Sequence, residues 1–348
     1  MRSMFALAFA LAAAGPLPAG TVIAGVSSPN SPRTEVMALF PDGTQRPLFT
    51  EEHAPGFVPK GALNTAATRV VLAVQKDGAE GASVVVWDFA SGARTLVGER
   101  AVRTQAPSIF GDVVTWVRAA ESPLRSTFDV VSARMDGGGE EVRASIEGAW
   151  LTPIAGFAQA RYLHLTSDGD NRIVALEGTA LEVIRVLGKG RYRIPALAGP
   201  TRSLVERGLP GGRAEVIDER GALVRTGLAG MQPLAVSTAR SGRSPDGVAF
   251  VMGAGGKHAA LVAIEETREG TRERSLDLGR PGIATPLAAT LVNGALTVVA
   301  RLDRGRALPA ELVLLDGRGA RVLVTGGSVE VYGVVGDLQD EAANEGAR

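Results

Sequence analysis

One pattern of β-strands returns along the chain at nearly constant spacing. Residues 82–98 read ASVVVWDFASGARTLVG, a run of β-formers, a small turn and a shorter apolar run. The same order recurs as EVMALFPDGTQRPLFT at 35–50, DVVSARMDGGGEEVR at 129–143 and ELVLLDGRGARVLVTG at 311–326. Taking the middle strand as the marker, the units start at Val36, Val84, Asp129, Arg172, Glu215, Leu261 and Leu312. Successive starts lie 48, 45, 43, 43, 46 and 51 residues apart. A period in this range, built from short strands and glycine-rich turns, predicts a β-propeller.

Each unit carries a preceding strand, such as VVLAVQ at 70–75, VVTWVR at 113–118 and LTVVAR at 296–301. A third segment follows the turn, as in RTLVG at 94–98 and RVLVTG at 321–326. Asp-Gly pairs at 42–43, 136–137, 246–247 and 316–317 supply turns in which positive φ is cheap. A weaker fourth strand of small residues precedes each trio: PSIFG at 107–111, TPIAGF at 152–157, IPALAG at 194–199, QPLAVS at 232–237 and TPLAAT at 285–290. Small side chains suit the innermost strand of a blade, where strands crowd around a central channel. The first unit lacks this strand, and VEVYGVV at 329–335 is a lone strand with no trio behind it. Placed in the first blade, it completes four strands and removes two open edges. The expectation is an all-β, seven-bladed β-propeller of four-stranded blades, the first closed by the C-terminal strand. A ring of six or eight blades and two stacked β domains divided at 187–213 are the alternatives, but the period does not break at 187–213.

The N-terminus adds a compartment. MRSMFALAFALAAAGPLPAG has Arg2, an apolar run from Met4 to Ala14, breakers at Gly15 and Pro16, and a small residue at Ala19. This is the layout of a secretory signal peptide, with cleavage after Ala19 or after Ala24. The expected organisation is a signal peptide at 1–19, a single propeller domain at 20–337 and a disordered tail at 338–348, in a periplasmic or secreted protein. No later segment has 18 apolar residues without charge, so no membrane span is expected. Lysine plus arginine balance aspartate plus glutamate at 37 each, which leaves no basic field for nucleic acid.

The unit resembles the WD40-like repeats of TolB-type periplasmic propellers. Ser-Pro-Asp-Gly at 244–247, the strand VAFVMG after it and HAALVAIEE at 258–266 carry the likeness, together with VVVWDFASGARTLVG at 84–98. The resemblance implies the propeller fold and a role in binding partner proteins. It places no catalytic or ligand residue on this chain.

Chemistry-bearing patterns are sparse. The chain has no cysteine, which excludes disulfides, thiolate metal sites, cysteine nucleophiles and a lipobox anchor. His53, His164 and His258 have no metal-site spacing. SDGDN at 167–171 lacks the alternation and distal glutamate of a calcium loop and reads as a hairpin turn. GAGGKHAALVA at 253–263 fails as a phosphate loop: Val251 holds the first glycine position and His258 the hydroxyl position. No Gly-x-Ser-x-Gly occurs. Trp87 and Trp116, inside strands, are expected to fill space between blades. Trp150, at a loop–strand boundary, is the candidate partner-binding residue, since large aromatics dominate binding hot spots. The function expected is protein binding or scaffolding in the cell envelope, by a monomer without metal or cofactor. The alternative is a hydrolase or lyase using carboxylates such as Asp112, Asp168 and Asp246 at the mouth of the channel.

Overall fold

The computed structural model describes residues 16–64, 66–79, 81–101, 107–120, 126–154, 161–193, 204–208, 214–218, 223–226, 233–237, 248–256, 260–267, 270–292, 295–305 and 308–336. The chain forms antiparallel strands arranged in successive meanders. The first contains β1 (Val22–Ser27), β2 (Arg33–Leu39) and β3 (Gln45–Glu52). The second contains β4 (Lys60–Leu63), β5 (Arg69–Gln75), β6 (Ala82–Asp88) and β7 (Arg94–Ala101). The third holds β8 (Ser108–Phe110), β9 (Val113–Ala120), β10 (Ser126–Arg134) and β11 (Glu141–Gly148). The fourth holds β12 (Trp150–Ile154), β13 (Arg161–Leu165), β14 (Asp170–Glu177) and β15 (Ala180–Lys189). β16 (Tyr192–Arg193), β17 (Leu204–Gly208), β18 (Ala214–Asp218) and β19 (Leu223–Thr226) make the fifth.

The last eight strands of these meanders share one sheet. They are β20 (Pro233–Ser237), β21 (Val248–Gly256), β22 (Ala260–Thr267) and β23 (Gly270–Asp277), followed by β24 (Gly282–Val292), β25 (Ala295–Asp303), β26 (Glu311–Asp316) and β27 (Gly319–Thr325). The strands of the sixth and seventh sequence units are thus joined, where separate sheets were expected. The reason is local: β20 pairs with β21 only as far as Met252, and β21 runs on to Gly255 and Gly256, which pair with Ile283 and Gly282 of β24. The result among the described residues is five four-stranded sheets and one eight-stranded sheet, an all-β, multi-bladed, propeller-like fold.

Burial explains the composition of each strand. β5 and β26 are buried along nearly their whole length, on both faces, because sheets pack on either side of them. They therefore read as continuous apolar runs rather than as an alternation. The outermost strands β3, β11 and β15 alternate or are largely exposed. Trp116 of β9 lies buried against β7, where a Cβ on Gly98 would fall 2.5 Å from its ring. Trp87 of β6 stacks on Phe49 of β3 with centroids 4.2 Å apart. Both tryptophans fill space between neighbouring sheets, as expected.

The final strand, β28 (Ser328–Val334), pairs antiparallel with β1 from Val22↔Val334 to Ser27↔Ser328. It completes the first sheet in the order β28-β1-β2-β3, so the C-terminal strand closes the N-terminal unit. β28 lies beside β24 on one side and β4 on the other, and β4 in turn lies beside β8. The Tyr332 ring passes over Gly25, where a Cβ would sit 2.4 Å from its oxygen, and its hydroxyl donates to the Pro59 carbonyl at 3.2 Å. IPALAG at 194–199, the Ser-Pro-Asp-Gly turn, residues 1–15 and the tail at 338–348 lie outside the described residues.

Two measurements follow from this closure. Tyr332→Ala should lower unfolding stability by about 3–5 kcal/mol, because it empties a buried site. Tyr332→Phe should lose only about 1 kcal/mol with the hydroxyl. A chain lacking 328–348 should lose cooperative thermal unfolding, whereas one lacking 339–348 should melt within about 2 °C of the whole chain. Equal melting of all three chains would contradict closure by β28.

Candidate functional site

The innermost strands start at one end of their sheets, and these starts form the candidate binding face. Lys60, the first residue of β4, donates from Nζ to Glu330 Oε2 near the start of β28 at 2.6 Å, so the two strands run the same way. Trp150 holds the equivalent starting position in β12. Its side chain is 40% exposed, an unusual exposure for so large an apolar group. Ile283, near the start of β24, is 62% exposed.

Trp150 is held from below. Its ring meets Phe128 of β10 edge to face, with centroids 6.4 Å apart and planes at 66°. Phe128 is fully buried, as is Leu151 next to Trp150 in the strand. The connection leading into Trp150 is fixed by His164 of β13. Its Nε2 donates to the Glu147 carbonyl at 3.0 Å, and Ala149 N donates to the Leu165 carbonyl at 2.8 Å. Gly148 makes this contact possible, since a Cβ there would lie 2.3 Å from Nε2. With the proton on Nε2, Nδ1 carries the lone pair, and it is buried without a hydrogen-bond partner. Burial lowers the His164 pKa below the ordinary imidazole value, the Glu147 carbonyl opposes that, and Arg172, paired across the strands, adds to the lowering.

The other candidates are dispersed. Asp112 lies in the β8–β9 turn and Asp168 in the β13–β14 turn. The first of these connections joins an innermost strand to the next, and the second joins that next strand to a middle one. They therefore sit at opposite ends of the antiparallel meanders, roughly a strand length apart, and form no carboxylate pair. Asp168 accepts from Thr166 Oγ1, which lowers its pKa, and serves its own hairpin. Asp246 and His258 lie outside the described residues. His53 is buried, donating from Nδ1 to the Ala54 carbonyl at 2.9 Å and accepting from Thr34 Oγ1 at Nε2, 2.8 Å away. Among the described residues no group of three or more His, Cys, Asp or Glu side chains is placed to hold a metal ion. No helix among them is long and apolar enough to cross a membrane.

Two features escaped the sequence reading. Glu51, buried at the edge of β3, accepts from Trp87 Nε1 at 2.6 Å and from Arg94 Nη2 and Nε at 3.0 and 3.1 Å, tying the first sheet to the second. A shallow cleft of about 230 Å³ lies between the second and third sheets, lined by Arg69, Asp88, Ser91 and Met135. Burial would raise the Asp88 carboxyl there, but hydrogen bonds from Arg69 and Ser91 outweigh it and bring its pKa to about 2. Neither feature has a periodic signal, because each depends on residues of different strands meeting.

No family model and no curated protein sequence matches the chain. Solved structures share its fold. A post-proline cleaving enzyme from Rickettsia typhi matches with a TM-score of 0.55 at 11% identity, over 88% of this chain and 52% of that one. The acylaminoacyl peptidase of Pyrococcus horikoshii matches with a TM-score of 0.53 at 14% identity, over 87% and 52%. TolB from Acinetobacter baumannii gives a TM-score of 0.48 at 11% identity, over 75% and 66%. The chain spans about half the length of the two peptidase chains.

The His164 geometry generates a pH dependence. Its folded pKa lies below the unfolded value of about 6.5, so the folded state disfavours the proton. The stability is complete above that value and declines as pH falls below it, toward the folded pKa. His164→Leu removes the ionisable group, so its melting temperature should fall less between pH 7 and pH 5 than that of the parent chain. Parallel pH profiles would show that His164 is not buried as a neutral ring.

Proposed function

We propose that the protein is an exported seven-bladed β-propeller, related to the TolB-like and WD40-like repeat proteins. It acts as a binding or scaffold module for a partner protein of the cell envelope. The observation that carries this reading is Trp150, a large exposed aromatic held rigid by buried Phe128 and by the His164 contact at the start of an innermost strand. A pre-organised aromatic loses little freedom on binding, which is why such residues act as anchors.

Seven sequence units, the pairing of β28 with β1 and the adjacency of β24, β28, β4 and β8 support the ring. The leader-like run from Arg2 to Ala14 supports a periplasmic or secreted location. The likeness to peptidases, at 11–14% identity over half their length, supports the fold and not their peptide cleavage. The carboxylate-based alternative gains no support from Asp112 and Asp168, which lie at opposite ends of their meanders.

The test is affinity capture from the native envelope with the parent chain and with Trp150→Ala. The variant should stay folded and melt only a few degrees below the parent, since Trp150 is 40% exposed and loses chiefly its edge contact with Phe128. It should retain at most about a tenth of the captured partner, the loss expected of a hot-spot residue. Undiminished capture by Trp150→Ala would move the binding face elsewhere.

A further inference from the structure

The fourth sheet runs β12-β13-β14-β15 and ends there, so among the described residues the outer edge of β15 is open. Other outer strands are guarded. β3 carries Pro47, and Gln45 Nε2 donates to the Leu323 carbonyl of β27 at 2.6 Å. β15 has no proline and is longer, at ten residues against eight in β3, β7 and β11. Its side chains at Val183, Ile184 and Val186 are 48%, 40% and 57% exposed. A long free edge with apolar side chains is a template for pairing with another chain.

The charges on β15 say which chain. Glu182 and Arg185 are exposed, and neither side chain has a partner among the described residues. In a regular strand, residues three apart point to opposite faces. β15 is not regular. Its pairing with β14 shifts between Val174↔Val183 and Ile173↔Arg185, which leaves Ile184 as an extra residue. The bulge puts Glu182, opposite Ala175, and Arg185, opposite Ile173, on one face of the sheet. Leu181, Val183 and Val186, opposite Leu176, Val174 and Arg172, share the other face.

We propose that β15 pairs antiparallel with β15 of a second copy of this chain, about a two-fold axis at Val183 and Ile184. A two-fold pair needs each residue to meet one on the same face, and a self-complementary patch. The register that sets Glu182 against Arg185 of the other copy also sets Leu181 against Val186 of the other copy. Each pair occurs twice. The seam therefore has two ion pairs on one face and two apolar pairs on the other, which are favourable cross-strand combinations. An unrelated strand would have to supply both charges at this bulged spacing, whereas a second copy supplies them by symmetry. The axis stands perpendicular to the joined sheet, so the two Trp150 residues lie toward its opposite ends. This dimer replaces the monomer expected from the sequence, and it does not depend on the role given to Trp150.

The experiment is sedimentation velocity of the purified chain over a concentration series. One strand edge is a small interface, so the dimer should be weak and appear at roughly 10–200 μM. Glu182→Arg sets arginine against arginine, and Arg185→Glu sets glutamate against glutamate. Both sites are exposed, so both variants should stay folded by circular dichroism. Each should associate at least about tenfold more weakly than the parent. An equimolar mixture of the two should form a heterodimer, because each arginine then meets a glutamate. A parent chain that stays monomeric at about 500 μM would overturn the dimer. Unchanged association by either variant would overturn its placement on β15. No recovery on mixing would overturn the register.

Discussion

The pairing of β28 with β1 is the contact on which the rest of the arrangement depends. It joins Val22 to Val334, residues near opposite ends of the chain. Chain-length entropy for closing so long a loop is of order 5 kcal/mol. Two or three buried side chains offset that, at about 1.5–3 kcal/mol each, and the seam supplies Val22, Ile23, Tyr332 and Val335. Without the seam, the inner edge of β1 would present unpaired N–H and C=O groups, and both neighbours of β28 would lose the strand they pack on.

Between sheets the cohesion is mostly apolar and two-sided. The Val36–Val70–Val85–Tyr332 cluster spans the first and second sheets, and the Val97–Trp116–Val131 cluster the second and third. Glu51 is a polar exception. Its carboxylate is buried, but both oxygens accept hydrogen bonds from Trp87 and Arg94, so no lone charge is left in the core. Such a bridge fixes how two sheets align more than it adds to net stability. Glu311, buried at the start of β26, is likewise paired, with Arg280 and Arg304 of connections in the same eight-stranded sheet.

The same rigidity reaches the candidate binding face. Trp150 projects from the first residue of a strand whose next residue is buried, over a ring that is itself buried. Its orientation is set by the fold itself. Among the described residues, His53 and His164 are committed to backbone and hydroxyl contacts inside the fold.

Much of the architecture was legible in the chain. The middle strands starting at Val36, Val84, Asp129 and Leu312 were marked by apolar runs before Asp-Gly or Ala-Ser-Gly turns, because a strand packed on both faces is largely apolar. The missing inner strand of the first unit and the orphan VEVYGVV together implied closure, because a sheet edge demands a partner. Lys60–Leu63 escaped notice, since Lys-Gly-Ala-Leu carries no β signal. Gly61 is there because a Cβ would fall 2.1 Å from the Val71 carbonyl, a constraint that exists only once β4 lies on β5. The merging of the last two units through Gly255 and Gly256 was hidden for a similar reason, since glycines in a turn and glycines pairing with another strand look alike. Sequence periodicity determined which residues form strands and which faces they bury, because both follow from local sterics and the hydrophobic effect. Tertiary structure alone decided that Trp150 stands exposed while Trp116 is buried, and that Asp112 and Asp168 point to opposite ends, because exposure and proximity belong to the packing of distant segments.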